Sequence, residues 1–435
     1  MSRVRGHTFA SLAVPNFRLY VTGAFVSNIG TWIQRVAQDW LVLQLSGNSA
    51  IAVGITTALQ FLPALLLSPV GGLLADRFDK RKLLMVTQTW MALSALILGA
   101  LAVSGVAQTW HVYLLAFVFG IGAAIDAPAR QAFVSEVVGG KYLTNAIGLN
   151  SSSFNAARLI GPGIAGLIMA AFGTGWAILT NGVSYLAFIV ALAALDESRL
   201  HRSVPLARAK GQLREGFSYV ARRSDLLITL GVAFAVGTFG MNFQMTNALM
   251  VRGQFGMGEE AYGLLGSIMG IGTLLGALIA ARRATAPGLR FVVVSASTVA
   301  VLIGLSGLAP TYLTYAISLP ITGLASLLTL TACNMYIQTG VDPQVRGRVM
   351  ALYMTVLMGG TPIGAPLLGW LAQLFGPRAA LVGGGLLQLA TIVVIVAAVR
   401  LMLRRREAAG TAGAAAAEAP PRVPEARGEV PVPGH

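Results

Sequence analysis

The chain has 435 residues, of which 55% are apolar, only 11% are charged and 51 are glycine. Ordinary soluble domains carry about 25% charged residues, so this composition excludes a soluble enzyme or regulator and makes a lipid bilayer the solvent. The formal charge of +15 is divided among short loops, which fits basic loops on one membrane face and argues against a nucleic-acid binder.

In chain order, about twelve apolar segments come close to or exceed the roughly 20 residues that a bilayer core requires. They fall at about 17–43, 50–75, 83–104, 110–128, 143–171, 175–195, 226–250, 261–281, 291–308, 311–338, 348–374 and 379–402. The first is too long and too polar for a cleaved signal peptide, and no small-residue cleavage site follows it. It is expected to stay in the mature protein. The pattern predicts an all-α integral membrane fold of twelve transmembrane helices in two six-helix bundles, residues 1–195 and 226–402. Between them lies a cytoplasmic linker, 196–225, in which Leu213, Phe217 and Val220 share one helical face and Arg214, Arg222 and Arg223 take the other. Such a helix is expected to lie in the headgroup layer. The tail, 403–435, passes from Arg404-Arg405-Arg406 into Ala, Pro, Gly and Glu without periodicity and is expected to be disordered.

All but four of the 31 Lys and Arg fall on one face: Arg35 and Arg158 lie inside spans, and Arg252 and Arg378 lie on the opposite face. The positive-inside rule then places both termini in the cytoplasm, where the basic loops meet an anionic leaflet. Arginine outnumbers lysine and alanine abounds, a composition that points to a GC-rich bacterium and hence to its cytoplasmic membrane.

The fifth and eleventh spans repeat. Leu143 to Ile168 aligns without a gap on Arg346 to Leu371, with Ile160-Gly161, Gly163 and Gly166 matching Ile363-Gly364, Pro366 and Gly369. Upstream, Gln131-Ala132-Phe133-Val134 faces Asn334-Met335-Tyr336-Ile337. Duplicated halves in an apolar chain are the sign of a secondary transporter, whose bundles rock around a midplane site.

Soluble-type catalytic constellations are absent. There is no His-Glu-x-x-His and no phosphate-loop lysine motif, Cys333 is the single cysteine, and the histidines at 7, 111, 201 and 435 lie mostly in loops and tails. No metal site, cofactor or enzymatic activity is expected. Gly161-Pro162-Gly163-Ile164-Ala165-Gly166 satisfies G-x-G-x-x-G, but it lies inside a span after a helical segment. Proline and glycine there kink the helix and let a neighbour approach. Gly266 with Gly270, and Gly272 with Gly276, read as similar close-packing pairs.

The loop after the second span, Gly72-Leu73-Leu74-Ala75-Asp76-Arg77-Phe78-Asp79-Lys80-Arg81, resembles the cytoplasmic signature of the major facilitator superfamily, Gly-x-x-x-Asp-Arg-x-Gly-Arg-Arg. Asp79 stands at the usual glycine and Lys80 at the first of the paired arginines. Arg158-Leu159-Ile160-Gly161-Pro162-Gly163 resembles the fifth-helix antiporter motif. Together with Pro343-Gln344-Val345-Arg346-Gly347-Arg348-Val349-Met350, the likeness is to the drug:proton antiporter-3 group, which includes enterobactin and macrolide exporters. It covers about 12–402. The resemblance implies that Asp76 meets the N-terminus of the eleventh helix near Arg348 to Met350, and that Lys80 contacts an acid at the cytoplasmic end of the fourth, here Asp126. Gly72, Asp76, Arg77, Lys80, Arg81 and Asp126 would then form a cytoplasmic latch that breaks on inward opening. The plainer reading is a loop whose charges only fix topology.

Charges within spans are scarce and therefore informative. Asn28, Trp32, Arg35 and Asp39 share one face of the first span, and Ser151, Asn155, Arg158 and Pro162 one face of the fifth. Counting rise per residue sets Arg158 near mid-bilayer and Asp39 in the outer third. Asp39 is the candidate proton carrier with Arg35 one turn away, and a permanent Arg35–Asp39 ion pair is the alternative. Arg158 either binds an anionic substrate group or pairs with Asp39.

The second half offers Phe239, Asn242, Phe243 and Thr246, with Met241 and Met245, and Tyr353 with Met354. This aromatic, sulfur-rich surface suits a bulky amphipathic molecule, although such stripes also serve helix packing. The reading is a secondary active transporter, monomeric by the custom of the family it resembles. It would export an amphipathic compound such as a drug or siderophore in exchange for protons. The alternatives are a lipid or lysolipid carrier, a nutrient importer, or a non-transporting membrane sensor.

Overall fold

The computed structural model describes residues 9–202, 212–282 and 287–418, and among them the only regular structure is helix. The first half holds α1 (Pro15–Leu45), α2 (Ala50–Arg77), α3 (Lys80–Val103), α4 (Thr109–Val138), α5 (Leu143–Phe172) and α6 (Thr174–Ala193). The second begins with a short α7 (Gln212–Arg222). Next, α8 (Ser224–Ala235) and α9 (Phe243–Leu249) form one crossing with π-helical turns at Val236–Gly240 and Met250–Gln254. It continues with α10 (Glu259–Ala281), α11 (Leu289–Gly307), α12 (Tyr312–Gly340), α13 (Arg346–Gly359) and α14 (Thr361–Phe375), which share a crossing, and α15 (Pro377–Glu418).

Local chemistry sets the helix starts. Ser49 accepts a hydrogen bond from the Ala52 amide to cap α2, Thr311 and Thr314 form a capping box on α12, and Pro15 opens α1. Asp79, at the motif's glycine position, has φ −58° and accepts from the Lys82 amide at 3.0 Å, so it serves as the N-cap of α3. No left-handed backbone is needed there.

Eleven helical segments among the described residues are long and apolar enough to cross a membrane, one fewer than expected. The difference is α1, long enough but made polar by Asn28, Gln34, Arg35, Gln38 and Asp39. Its polar residues are mostly turned inward: Gln34, Gln38 and Asp39 are buried, as are Phe17, Tyr20 and Trp40. The expected linker helix is α7, with Val220 packed into the second half's core and Phe217 67% exposed. Residues 203–211 of the linker lie outside the described residues. The tail differs from expectation: α15 runs on through the alanine-rich stretch to Glu418. Alanine is the strongest helix former, and the first prolines come only at Pro420 and Pro421. Residues 419–435 are outside the described residues.

The duplication extends well beyond the fifth and eleventh spans. Helices α4, α5 and α6 begin at 109, 143 and 174, and α12, α13 and α15 at 312, 346 and 377, each 203 residues later. Helices α1, α2 and α3 begin at 15, 50 and 80, and α8, α10 and α11 at 224, 259 and 289, each 209 later. Even the stops match. Gly173 (φ 91°) ends α5 and Gly376 (φ 88°) ends α14, both in the left-handed region that glycine adopts without strain.

The halves meet along two equivalent seams. Where α2 crosses α14, a Cβ on Gly54 would lie 2.6 Å from the Ala365 carbonyl oxygen, and one on Gly369 2.6 Å from that of Ala50. Where α5 crosses α10, the corresponding Gly263 would strike the Pro162 carbonyl and Gly166 would stand 3.1 Å from that of Glu259. Gly266 and Gly270 also press on α5, and Gly272 and Gly276 on α12, as close-packing pairs should. At the end carrying the turns 46–49, 255–258 and Gly376, one apolar core runs through both halves, joining Trp40, Leu43 and Val53 to Met245, Leu249, Tyr262 and Leu368. Towards the opposite, basic end the cores separate. Phe17, Tyr20, Phe133 and Phe188 fill the first half, and Val232, Ile337 and Tyr353 the second. One core joins the halves at the first end, and each half keeps its own at the basic end.

Candidate transport pathway

At the basic end the signature loop joins α2 to α3. Lys80 Nζ lies 2.6 Å from Glu136 Oε1, with both side chains about nine-tenths buried. This corrects the expected Lys80–Asp126 contact. The fourth span was expected to stop at Pro128, but α4 continues through that proline to Val138, so the acid at its basic end is Glu136. Asp126 lies over two turns deeper, where it accepts from Thr87 (3.0 Å), Gln88 (2.7 Å) and Arg130 (3.0 Å). Arg130 also stacks its guanidinium 4.4 Å from the Phe188 ring. Arg81 donates to the Leu192 and Ala193 carbonyls, covering the end of α6, and pairs with Glu197. Arg202 reaches both Glu197 and Asp79. Gly72, Asp76 and Arg77 occupy the last turns of α2, which packs on α13 and α14.

Midway, α1 and α5 bring Trp32, Arg35 and Arg158 together. The Arg35 guanidinium lies 4.9 Å from the Trp32 ring and 5.4 Å from Phe61, and Arg158 lies 5.5 Å from the same indole. Phe154 meets Trp32 edge-on at 6.0 Å. Gly161 makes this possible, since a Cβ there would sit 2.5 Å from Trp32 Cβ. The kink residues Pro162 and Gly163 face α10, with Ser267 Oγ donating to the Leu159 carbonyl at 2.8 Å. Neither Arg35 nor Arg158 forms an ion pair or hydrogen bond among the described residues, so neither the alternative Arg35–Asp39 pair nor an Arg158–Asp39 pair is formed there. Arg35 is drawn instead to two aromatic faces, and its Nε is buried without a partner. Asn28 and Asn155 are half-buried and Ser151 is exposed, with Asn155 bonding back to the Ser151 carbonyl.

Asp39 belongs to the closed end. It is 6% exposed, and the Tyr262 hydroxyl of α10 lies 3.3 Å from its Oδ2 and 3.1 Å from the Gln244 carbonyl, one proton serving both acceptors in turn. Around it Trp40 donates to Glu259 at 2.8 Å and stacks on Tyr262 at 5.6 Å. Gln44 reaches the same carboxylate, Arg252 donates to Asn48, and the Ala50 amide donates to Gln373. Sequence reasoning missed Tyr262 and Glu259. Their one local signal was an acidic, aromatic start to an apolar span, and nothing local linked them to Asp39.

The aromatic surface expected on the second half is largely packed. Asn242, Phe243 and Thr246 are 4–8% exposed and, with half-buried Phe239, border Ile303, Ala380 and Leu381 around a crevice of about 10 Å³, room for roughly one water. Tyr353 is 1% exposed inside the second half's core, its hydroxyl donating to the Leu330 carbonyl. These residues therefore do not join the α1–α5 cluster. Of that group only Met354 is well exposed, at 44%.

Two helix bundles related by an internal repeat, joined along glycine seams with buried charge between them, define a multi-pass membrane transporter fold. The profile of the major facilitator family described as transmembrane secretion effector matches residues 6–432, and the chain belongs to that family. It is 26% identical to the staphyloferrin A transporter of Staphylococcus aureus over 82% of this chain and 90% of that one. It is 29% identical to the multidrug efflux pump Tap of Mycolicibacterium fortuitum over 84% and 91%. To the enterobactin exporter EntS of Shigella flexneri it is 25% identical over 84% and 87%. Among solved structures, the nucleoside transporter NupG shares the fold with TM-score 0.67 at 11% identity, over 89% of this chain and 99% of that one. A bacterial homologue of the lysosomal transporter Spinster does so at 0.66 and 17%, over 89% and 96%.

Proposed function

We propose that this transporter exports an amphipathic organic compound, of the drug or siderophore class, in exchange for protons by alternating access. It would lie in a bacterial cytoplasmic membrane as a monomer with both termini in the cytoplasm, and its basic end would face the anionic leaflet. Residues 1–195 and 226–402 would act as the rocking bundles, 196–225 as a linker at the headgroup layer, and 403–435 as a cytoplasmic tail. In that orientation the described state is inward-facing. Relatives that carry siderophores and drugs support the substrate class.

The observation that carries the coupling is the Asp39–Tyr262 contact. A buried carboxylate of one half accepts from a hydroxyl of the other at the closed end, so the bond breaks whenever that end opens. An ionised Asp39 holds Tyr262 better than a neutral one. Outward opening would expose the carboxylate to external protons, and return to the inward state would release the proton to the cytoplasm. Trp32, Arg158, Asn28, Ser151 and Asn155 line the parted side that would receive the substrate. The Lys80–Glu136 pair and the Arg81–Glu197–Arg202–Asp79 network would hold the basic end of the first half as one body.

Purified protein in liposomes with a pH-sensitive dye inside, challenged with amphipathic compounds, tests this reading. Substrate-dependent proton movement is expected in the wild type and not in Asp39→Asn. Proton movement that persists in the variant overturns the assignment of Asp39. Binding without any flux would favour a sensor.

A further inference from the structure

We infer that Arg35, Trp32 and Arg158 form an anchor for an aromatic organic anion. This rests on the reading of the chain as a carrier of amphipathic compounds and narrows that class. Two guanidinium groups flank one indole at 4.9 and 5.5 Å, with no carboxylate in ion-pair range of either among the described residues. The neighbouring acids are engaged elsewhere: Asp39 by Tyr262, Glu259 by Trp40 and Gln44, Asp126 by Arg130, Gln88 and Thr87, and Glu136 by Lys80. Cation–π contact offsets part of the cost of a charge held within a span. It does not relieve the repulsion of two like charges on the same ring, nor does it supply a partner for the buried Arg35 Nε. A carboxylate or sulfonate beside the two guanidiniums relieves that repulsion. Trp32, Phe154 and Phe61 offer aromatic surface for the rest of the ligand. The cluster lies at the level of the Gly161–Trp32 contact, with Arg158 and Phe154 on its basic side along α5.

Equilibrium binding tests the anchor without needing flux or protons, so failure of transport and failure of the anchor are read separately. The probes are anilinonaphthalenesulfonate and its neutral parent phenylnaphthylamine, titrated into protein in nanodiscs of neutral lipid and into empty discs. The sulfonate is expected to bind about tenfold or more tighter than the parent once disc background is subtracted. Arg35→Gln and Arg158→Gln should each erase most of that preference while leaving the neutral dye unchanged. Arg35→Lys and Arg158→Lys, monodisperse in the same discs, should retain part of it. Equal binding of the two dyes, no binding of either, or a preference that survives both Gln variants overturns the inference. So does displacement of the sulfonate by phosphatidylglycerol at matched charge, which would assign the anchor to a lipid headgroup.

Discussion

The two halves share a plan and divide the chemistry. At the 209 and 203 offsets, Trp32 corresponds to Met241, Arg35 to Gln244, Asp39 to Ala248, Asp126 to Thr329, Arg130 to Cys333, Glu136 to Thr339 and Arg158 to Thr361. Every charged residue in this set belongs to the first half, and the second half answers with neutral groups. The close-packing glycines are the reverse case: Gly54 pairs with Gly263 and Gly166 with Gly369 where the halves touch, and Gly161 with Gly364 inside each half. Symmetry is kept where backbones must approach and given up where charge is placed. A buried charge is costly and its placement specific, so one copy suffices, whereas a rocking joint needs both sides.

The largest expected effect tests the division of charge. Asp39→Asn should abolish substrate-dependent proton movement, while Ala248→Asp at the matching position should not restore it, because Tyr262 faces α1; restoration in the double variant would break the comparison. Next come the shared glycines. In Gly364→Ala the new Cβ would overlap the Thr238 carbonyl oxygen, and overpacking against backbone costs about 1–3 kcal/mol or more. Gly161→Ala meets a side-chain carbon instead. Thermal unfolding in detergent should therefore show the larger loss for Gly364→Ala.

A third test concerns the basic end. Lys80→Ala should destabilise by about 3 kcal/mol, because it removes one charge of a buried ion pair. In double-mutant cycles Lys80 should couple to Glu136 and not to Asp126; coupling to Asp126 instead would reverse the reading of α4. Smaller is Tyr262→Phe, which removes one hydrogen bond worth about 1 kcal/mol. It should change the rate of exchange by no more than several-fold without eliminating it. The smallest effect is expected for Glu197→Gln, whose partners Arg81 and Arg202 are partly solvated. The shift there should stay within about 1 kcal/mol.

Punctuation made the fold legible. The glycine and proline pattern of α5 and α14 exposed the repeat, and the apolar runs marked the crossings. Composition alone undersold α1, whose polar face is buried by helices distant in sequence. The fourth span was read as about 110–128, yet α4 carries Pro128 inside it and runs on to Val138, so the acid that Lys80 meets is Glu136 and not Asp126. Helical spacing correctly grouped Trp32, Arg35 and Asp39 on α1 but could not say which end each would serve. On the α8–α9 crossing the spacing misled, because π turns rotate the faces of Phe239, Asn242, Phe243 and Thr246 relative to a regular helix. Tyr262 and Glu259 were illegible for a simpler reason: they lie over 200 residues from Asp39 and Trp40.

The glycine seams bear on how this machine turns. A bearing made of main chain sliding on main chain has no rotamers to reset as its angle changes, and dispersion forces resist shear only weakly. Friction should therefore be concentrated in the directional bonds between the halves, among them Tyr262 to Asp39, Trp40 to Glu259, Arg252 to Asn48 and Ala50 to Gln373. The temperature dependence of turnover would then report the breaking of such bonds rather than any repacking of the bundles.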